Sequence, residues 1–231
     1  MKLRTGEVEA GGWQVETISD VVRRLLEASP GVEGRPRIIA IDGRGGAGKT
    51  VVAERLQTDV PSSAVVHTDH VAWGFSIFGW GERIIDNVLR PLHQGEAVDV
   101  DLRPPDHTDP ELPGLIRVPA GLDVVWVEGV GIIRDELADW IDASIWIQGD
   151  LDEQERRMNV RDGDDPDHQR FYAEWVKEEL PLLQREVPWQ KATLVTTTTV
   201  DLDHDAETQL VVSTHRQLGR QGIPGCSGHL S

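Results

Sequence analysis

Apolar residues recur along this chain in two rhythms. Short unbroken β-branched runs alternate with stretches where apolar positions return every three or four residues. Arg37-Ile-Ile-Ala-Ile41 is the first such run. Runs of four to eight residues bounded by turn signals read as strands buried on both faces. Strands are expected at 37–42, 64–67, 123–127, 143–147 and, threonine-rich, at 193–200. Between them lie helical patterns. Thr17 to Ala28 puts Ile18, Val21, Val22, Leu25 and Leu26 on one face, with Thr17 and Asp20 at capping-box spacing. Residues 81–93, 136–141, 151–161, 167–186 (interrupted near Pro181) and 205–219 read as further helices. Residues 98–102 and 115–118 suggest a small hairpin around a polar loop at 104–110, and residues 1–14 a loose lead-in. Strands alternating with helices predict a parallel sheet covered on both faces, with right-handed crossovers. The expected architecture is a three-layer αβα sandwich forming a single domain over 1–231. Within it, 1–36 hold the lead-in and N-terminal helix, 151–170 a small helical lid, and 220–231 a flexible tail.

The turn after the first run carries the chemistry. Gly43-Arg44-Gly45-Gly46-Ala47-Gly48-Lys49-Thr50 fits G-x-x-x-x-G-K-[ST], and Val51 continues into a helical stretch. Strand, glycine loop and helix are the context a phosphate-binding loop needs. Glycines let the backbone turn its N–H groups inward around phosphate oxygens, and the helix N-terminus adds positive partial charge. Lys49 is expected to reach the β- and γ-phosphates and Thr50 to sit on Mg²⁺. The chain has only four lysines, Lys2, Lys49, Lys177 and Lys191. One of them at this position argues against coincidence.

Charge then narrows the partners. A formal net charge of −17 repels nucleic acid and anionic membrane. Cys226 is the only cysteine, so no intrachain disulfide is expected, which suits a reducing cytoplasm. No 18-residue apolar run and no signal core is present, so a cytoplasmic location is expected.

In parallel α/β sheets, ligands bind beyond the carboxyl ends of the strands. Those ends carry Asp42-Gly43, His67-Thr68-Asp69, Glu128-Gly129 and Gly149-Asp150. Asp69 is the leading candidate to align an acceptor hydroxyl and take its proton. Glu128 closes the most apolar strand, where an acid is costly unless it meets a cation or water. It is the candidate to support Mg²⁺ with Thr50. Asp42 could orient the loop or bind metal water. His67-x-x-His70 lacks a convincing third ligand for a zinc site. Arg156, Arg157 and Arg161 sit on the lid helix and its exit. Positive charge over the γ-phosphate is commonly delivered by such a lid, with Arg161 the first candidate and Arg157 a nucleotide contact. Trp126 and Trp146 are expected in the core, Trp73 and Trp80 beside the acceptor, and the aromatics of 170–175 in helix packing. The segment from Thr196 to Asp201 follows the last strand, where an adenine could dock.

These segments resemble the uridine kinase-like branch of the P-loop kinases: Ile38 to Thr50, Val66-His-Thr-Asp69, Val127-Glu-Gly129 and Arg156 to Asp162. The resemblance spans roughly 17–200. It implies a P-loop NTPase-type fold, use of ATP and Mg²⁺, and transfer of phosphate to a hydroxyl of a small molecule. It also implies an acceptor contact at Asp106, where Pro105-Asp106 stands in place of a Tyr-Asp pair. His70, Val71 and Ala72 replace the acid and aromatic that often follow the aspartate, so the resemblance does not extend to uridine. The acceptor could be nucleoside-like, a sugar or an antibiotic-type molecule. Two other readings are a regulatory or assembly ATPase that uses water as acceptor with a protein partner, and a nucleotide-binding module without catalysis.

Overall fold

Strand β2 (Arg37–Gly43) has six consecutive buried residues, and the fold is organised around it. In a computed structural model, which describes residues 1–4, 6–105, 107, 113–163 and 166–214, it sits inside a seven-stranded sheet. The strand order is β1-β9-β8-β7-β2-β6-β3. Here β1 is Trp13–Thr17, β3 Ser63–His67, β6 Val124–Glu128, β7 Ala143–Gln148, β8 Leu194–Thr197 and β9 Gln209–Ser213. The five strands from β8 to β3 are parallel. Alternate residues of β2 feed two cores. Ile38 and Ala40 join Val125, Val127, Trp146 and Val195 on one face. Ile39 and Ile41 join Trp126, Ile145 and Ile147 on the other. That period of two explains why the run is apolar throughout rather than alternating.

Helices cover both faces. Helix α1 (Ile18–Ala28) and α2 (Lys49–Asp59) pack on the second core through Val21, Leu25, Val52 and Leu56. Thr17 caps α1 by accepting from the Asp20 N–H. The first core is covered by a helix that runs from α4 (Gly81–Ile84) through a π-helical turn (Ile85–Leu89) into α5 (Arg90–His93). The 3₁₀ turn Asp135–Trp140, the end of α7 (Pro166–Glu186) and α8 (Pro188–Lys191) complete that layer. The lid helix α6 (Leu151–Asp162) follows β7, and a short α3 (Asp69–Ala72) follows β3. β4 (Val98–Asp101) and β5 (Leu115–Val118) form the expected antiparallel hairpin. Among the described residues, no helix is long and apolar enough to cross a membrane.

Two expectations need correction. Residues 209–213 form strand β9, not part of a helix over 205–219; residues 215–231, including the expected tail, lie outside the described residues. β9 pairs antiparallel with β1, Trp13 opposite Ser213 and Thr17 opposite Gln209, so the sheet is not wholly parallel. Each strand supplies the other's hydrogen-bond partner, and neither is compelling alone. The lead-in is not loose either. The Lys2 N–H donates to Asp150 at 2.7 Å and the Ala10 N–H to Gln148 at 2.8 Å. Glu7 accepts from the Trp146 and Gln148 side chains at 3.1 and 3.0 Å.

Candidate active site

The glycine loop joins β2 to α2 and wraps the helix N-terminus. Gly46 and Gly48 have φ of +73° and +93°, which side chains other than glycine resist. A Cβ on Gly46 would lie 2.4 Å from the carbonyl oxygen of Gln154. The lid helix α6 therefore lies directly on the loop, and glycine is required by contact as well as by conformation. Lys49 Nζ donates to the carbonyl of Arg44 at 3.0 Å, holding the ammonium across the loop. Ala47 is fully buried, and Val51 turns outward on α2 with 47% of its surface exposed.

The strand ends bring acids to this loop in distinct states. Asp42 is fully buried and accepts N–H bonds from Gly43, Gly131 and Ile133 at 2.7, 2.9 and 2.8 Å. Burial pushes its carboxyl up to about 6, against those three bonds and the charge of Lys49. It orients the turn after β6. Glu128 is 6% exposed and accepts from the Thr50 hydroxyl at 3.2 Å. His67 lies opposite it in the parallel register, and its Nδ1 is 2.6 Å from the same oxygen, Oε1. Burial alone would raise the Glu128 carboxyl, but the His67 bond and the Lys49 charge hold it below the ordinary value. The bond to Glu128 raises His67 in turn. His70 contacts the Leu115 carbonyl instead, so the two histidines serve different neighbours.

A cavity of about 600 Å³ opens from the loop. It is lined at the loop by Gly45, Gly46, Lys49, Thr50 and Glu128, and by Asp69 from the exposed start of α3. Trp73 to Ile77 supply another wall, and Met158, Arg161, Phe171, Tyr172 and Trp175 come from α6 and α7. Arg157 points elsewhere. It donates to the Thr198 hydroxyl and carbonyl at 2.8 and 2.9 Å, while Thr198 donates to the Ala47 carbonyl. A separate cavity runs beside it along Asp150, Glu153 and Thr198 to Asp201. A mostly parallel sheet with a glycine loop after its central strand and helices around it is now in view. The fold is that of the P-loop kinases.

Two solved structures share this P-loop kinase fold. One is a provisionally assigned fructose transport system kinase from Silicibacter sp. TM1040, 16% identical, covering 63% of this chain and 81% of its own, with a TM-score of 0.51. The other is a possible uridine kinase from Bacillus stearothermophilus, 19% identical, covering 77% of this chain and 96% of its own, also at 0.51. No protein-family model matches the chain. No curated protein matches it either.

Within the P-loop kinase fold, several site residues stand differently from the sequence expectation. The Arg44 side chain is not aimed at phosphate. It is buried and donates to Glu179 of α7 at 2.7 Å, so only its backbone belongs to the cradle. Trp80 is 1% exposed, with its indole N–H on the Ile77 carbonyl and the Arg134 guanidinium 4.1 Å from its ring. It belongs to the core, packed in the same cluster as Ile84, Val88 and Leu137, not to the cavity wall. Trp73 does line the cavity. Asp106 lies outside the described residues. The aromatics of 170–175 are not merely helix packing, since Phe171 is 50% exposed and lines the cavity with Tyr172 and Trp175. Their i, i+1, i+4 spacing on a helix next to the lid was the available signal. Nothing in the sequence singled out Glu179 from its neighbour Glu178.

Proposed function

We propose that the protein transfers the γ-phosphoryl group of ATP to a hydroxyl of a small molecule. One observation carries the reading: Lys49, Thr50 and Glu128 line the same cavity as Asp69. A candidate proton acceptor thus faces the same space as the phosphate loop. Thr50 Oγ1 and Glu128 Oε1 are adjacent hard oxygen donors, the type Mg²⁺ takes, so these residues fit the ion and would hold it. Bound Mg²⁺ neutralises charge on the phosphates. The chain does the rest. The Gly43 and Ala47 N–H groups are spent on Asp42 and on the Arg44 carbonyl, so the remaining N–H groups from Gly45 to Thr50 bind phosphate oxygens, and Lys49 adds positive charge. Asp69 orients the alcohol and receives its proton as the alcohol oxygen bonds to the γ-phosphorus. The bond to the β–γ bridging oxygen breaks, and its electron pair leaves with ADP. Arg161, on the lid, faces the cavity where charge spreads over the transferring group. The Arg157–Thr198 contact and the adjoining cavity suit the nucleoside end.

The test incubates purified protein with ATP, Mg²⁺ and a panel of nucleosides, sugars and aminoglycosides. A phosphorylated alcohol, lost in Asp69→Asn, is the expected result. Hydrolysis of ATP without any phosphorylated acceptor, unchanged by Asp69→Asn, contradicts the reading.

A further inference from the structure

The cavity wall facing the loop is aromatic. Trp73 and Phe75 come from the segment after α3, and Phe171 and Trp175 from one face of α7. The rings form a chain: Trp73 to Phe171 at 6.4 Å between centroids, Phe171 to Trp175 at 6.1 Å, and Trp175 to Phe78 at 5.0 Å. Phe78 roots this chain in a small buried cluster with Val130 and Leu182. Phe75 is braced from one side by the Arg83 guanidinium, 4.6 Å from its ring centre. Yet Trp73, Phe75 and Phe171 remain 50%, 55% and 50% exposed. Three half-exposed rings converging on one cavity mark a binding wall rather than scattered surface apolar residues.

Polar groups on that wall are few. Among the described residues, α7 and the segment 72–77 add only Ser76, Tyr172 and the indole N–H groups of Trp73 and Trp175 as polar side-chain groups at the cavity. Ser76 Oγ already accepts the Gly79 N–H at 2.9 Å. A site built to read a sugar or the edge of a nucleobase needs convergent donors and acceptors, because each ligand polar group left unpaired is penalised. A flat hydrocarbon ring needs none, and gains from offset or edge-on contact with rings about 5–7 Å apart.

We infer that the acceptor is an aromatic alcohol, its ring packed against the wall that Trp73, Phe171 and Trp175 form together and its hydroxyl directed to Asp69. This rests on the phosphotransfer reading above. It assigns Trp73 and Phe171 as specificity-determining residues.

The experiment uses the full chain and two sets of primary alcohols. The aromatic set is 2-phenylethanol, tyrosol and 2-naphthaleneethanol; the polar set is glycerol, fructose and uridine. Binding is read without ATP, by the change in tryptophan emission, and transfer is read with ATP and Mg²⁺ by mass spectrometry. The aromatic set is expected to bind and to be phosphorylated. Trp73→Ala and Phe171→Ala should each raise KM for it roughly tenfold or more, with kcat changed far less and melting temperature retained. Higher kcat/KM for the polar set, insensitive to Phe171→Ala, overturns the inference and leaves phosphotransfer standing. Binding of the aromatic set without product from any alcohol supports the aromatic wall and overturns the phosphotransfer reading. Absence of both binding and transfer with the aromatic set overturns the inference.

Discussion

Replacing Glu179 with alanine leaves the Arg44 guanidinium buried without its hydrogen-bonded counter-charge. The two side chains are 4% and 1% exposed, so water cannot readily take over. Arg44 Nη1 and Glu179 Oε1 are also buried without a hydrogen-bond partner among the described residues, so a single 2.7 Å bond carries the pair. Removing one partner of such a pair costs about 3–5 kcal/mol. A domain of this size is stable by about 5–15 kcal/mol, so Glu179→Ala should lose about a fifth or more of that. The melting temperature should drop by about 6–20 °C. The two unmet atoms set a second expectation. Because the pair does not recover all its desolvation cost, Arg44→Met with Glu179→Leu should be clearly more stable than Glu179→Ala, and within about 2 kcal/mol of wild type. Urea denaturation followed by tryptophan emission measures Glu179→Ala and the four corners of a cycle made of wild type, Arg44→Met, Glu179→Leu and the double variant. Arg44 lies inside the glycine loop, so the single variant should also weaken nucleotide binding severalfold. A cost below about 1 kcal/mol for Glu179→Ala, or strictly additive effects in the cycle, would refute the claim that this pair braces the loop against α7.

Four other outcomes follow from the same structure. Asp42 has a folded value near 6, above its ordinary 3.8, so the folded state holds the proton more tightly. Its contribution is present below about pH 4 and is lost as pH rises to 6, by about 3 kcal/mol. Asp42→Asn should remove that slope, which urea melts between pH 4 and 7 would show as a pH-dependent gap between the two proteins. Gly46→Ala forces a Cβ against the Gln154 carbonyl at positive φ, and should destabilise by about 1–3 kcal/mol while displacing α6, read by thermal melting and by proteolysis of the lid. Trp80→Ala should cost about 3–5 kcal/mol in urea melts, because the ring is core. Lys49→Ala should abolish ATP turnover and keep the melting temperature, as its Nζ bonds only a loop carbonyl among the described residues.

The sheet centre was legible because its signal is local. Ile38 to Ile41, Val124 to Val127 and Ile145 to Ile147 are apolar on both faces, which suits a buried parallel strand. The glycine loop was legible because its backbone conformations and its close contacts restrict the residues. The edge of the sheet was harder. Trp13-Gln-Val-Glu-Thr17 alternates as a half-buried strand should, yet its partner Gln209 to Ser213 lies almost two hundred residues away. Trp80 and Trp73 look alike in sequence, yet one joins the buried core and carries the Arg134 guanidinium on its ring while the other lines the cavity. Arg44 looks like part of a cationic cradle until α7 supplies Glu179. These differences arise from contacts between distant segments, which no local pattern encodes. For the same reason, the aromatic wall emerges only once α7 is placed beside the segment after Asp69.

The central claim is transfer of phosphate to an alcohol at the cavity shared by Lys49 and Asp69. The most direct measurement is mass spectrometry of a metabolite mixture incubated with the protein and γ-¹⁸O-labelled ATP, run beside Asp69→Asn. Labelled phosphate on an alcohol, lost or strongly reduced in the variant, is the predicted result. Label recovered only as inorganic phosphate, at equal rates in both proteins, would contradict it.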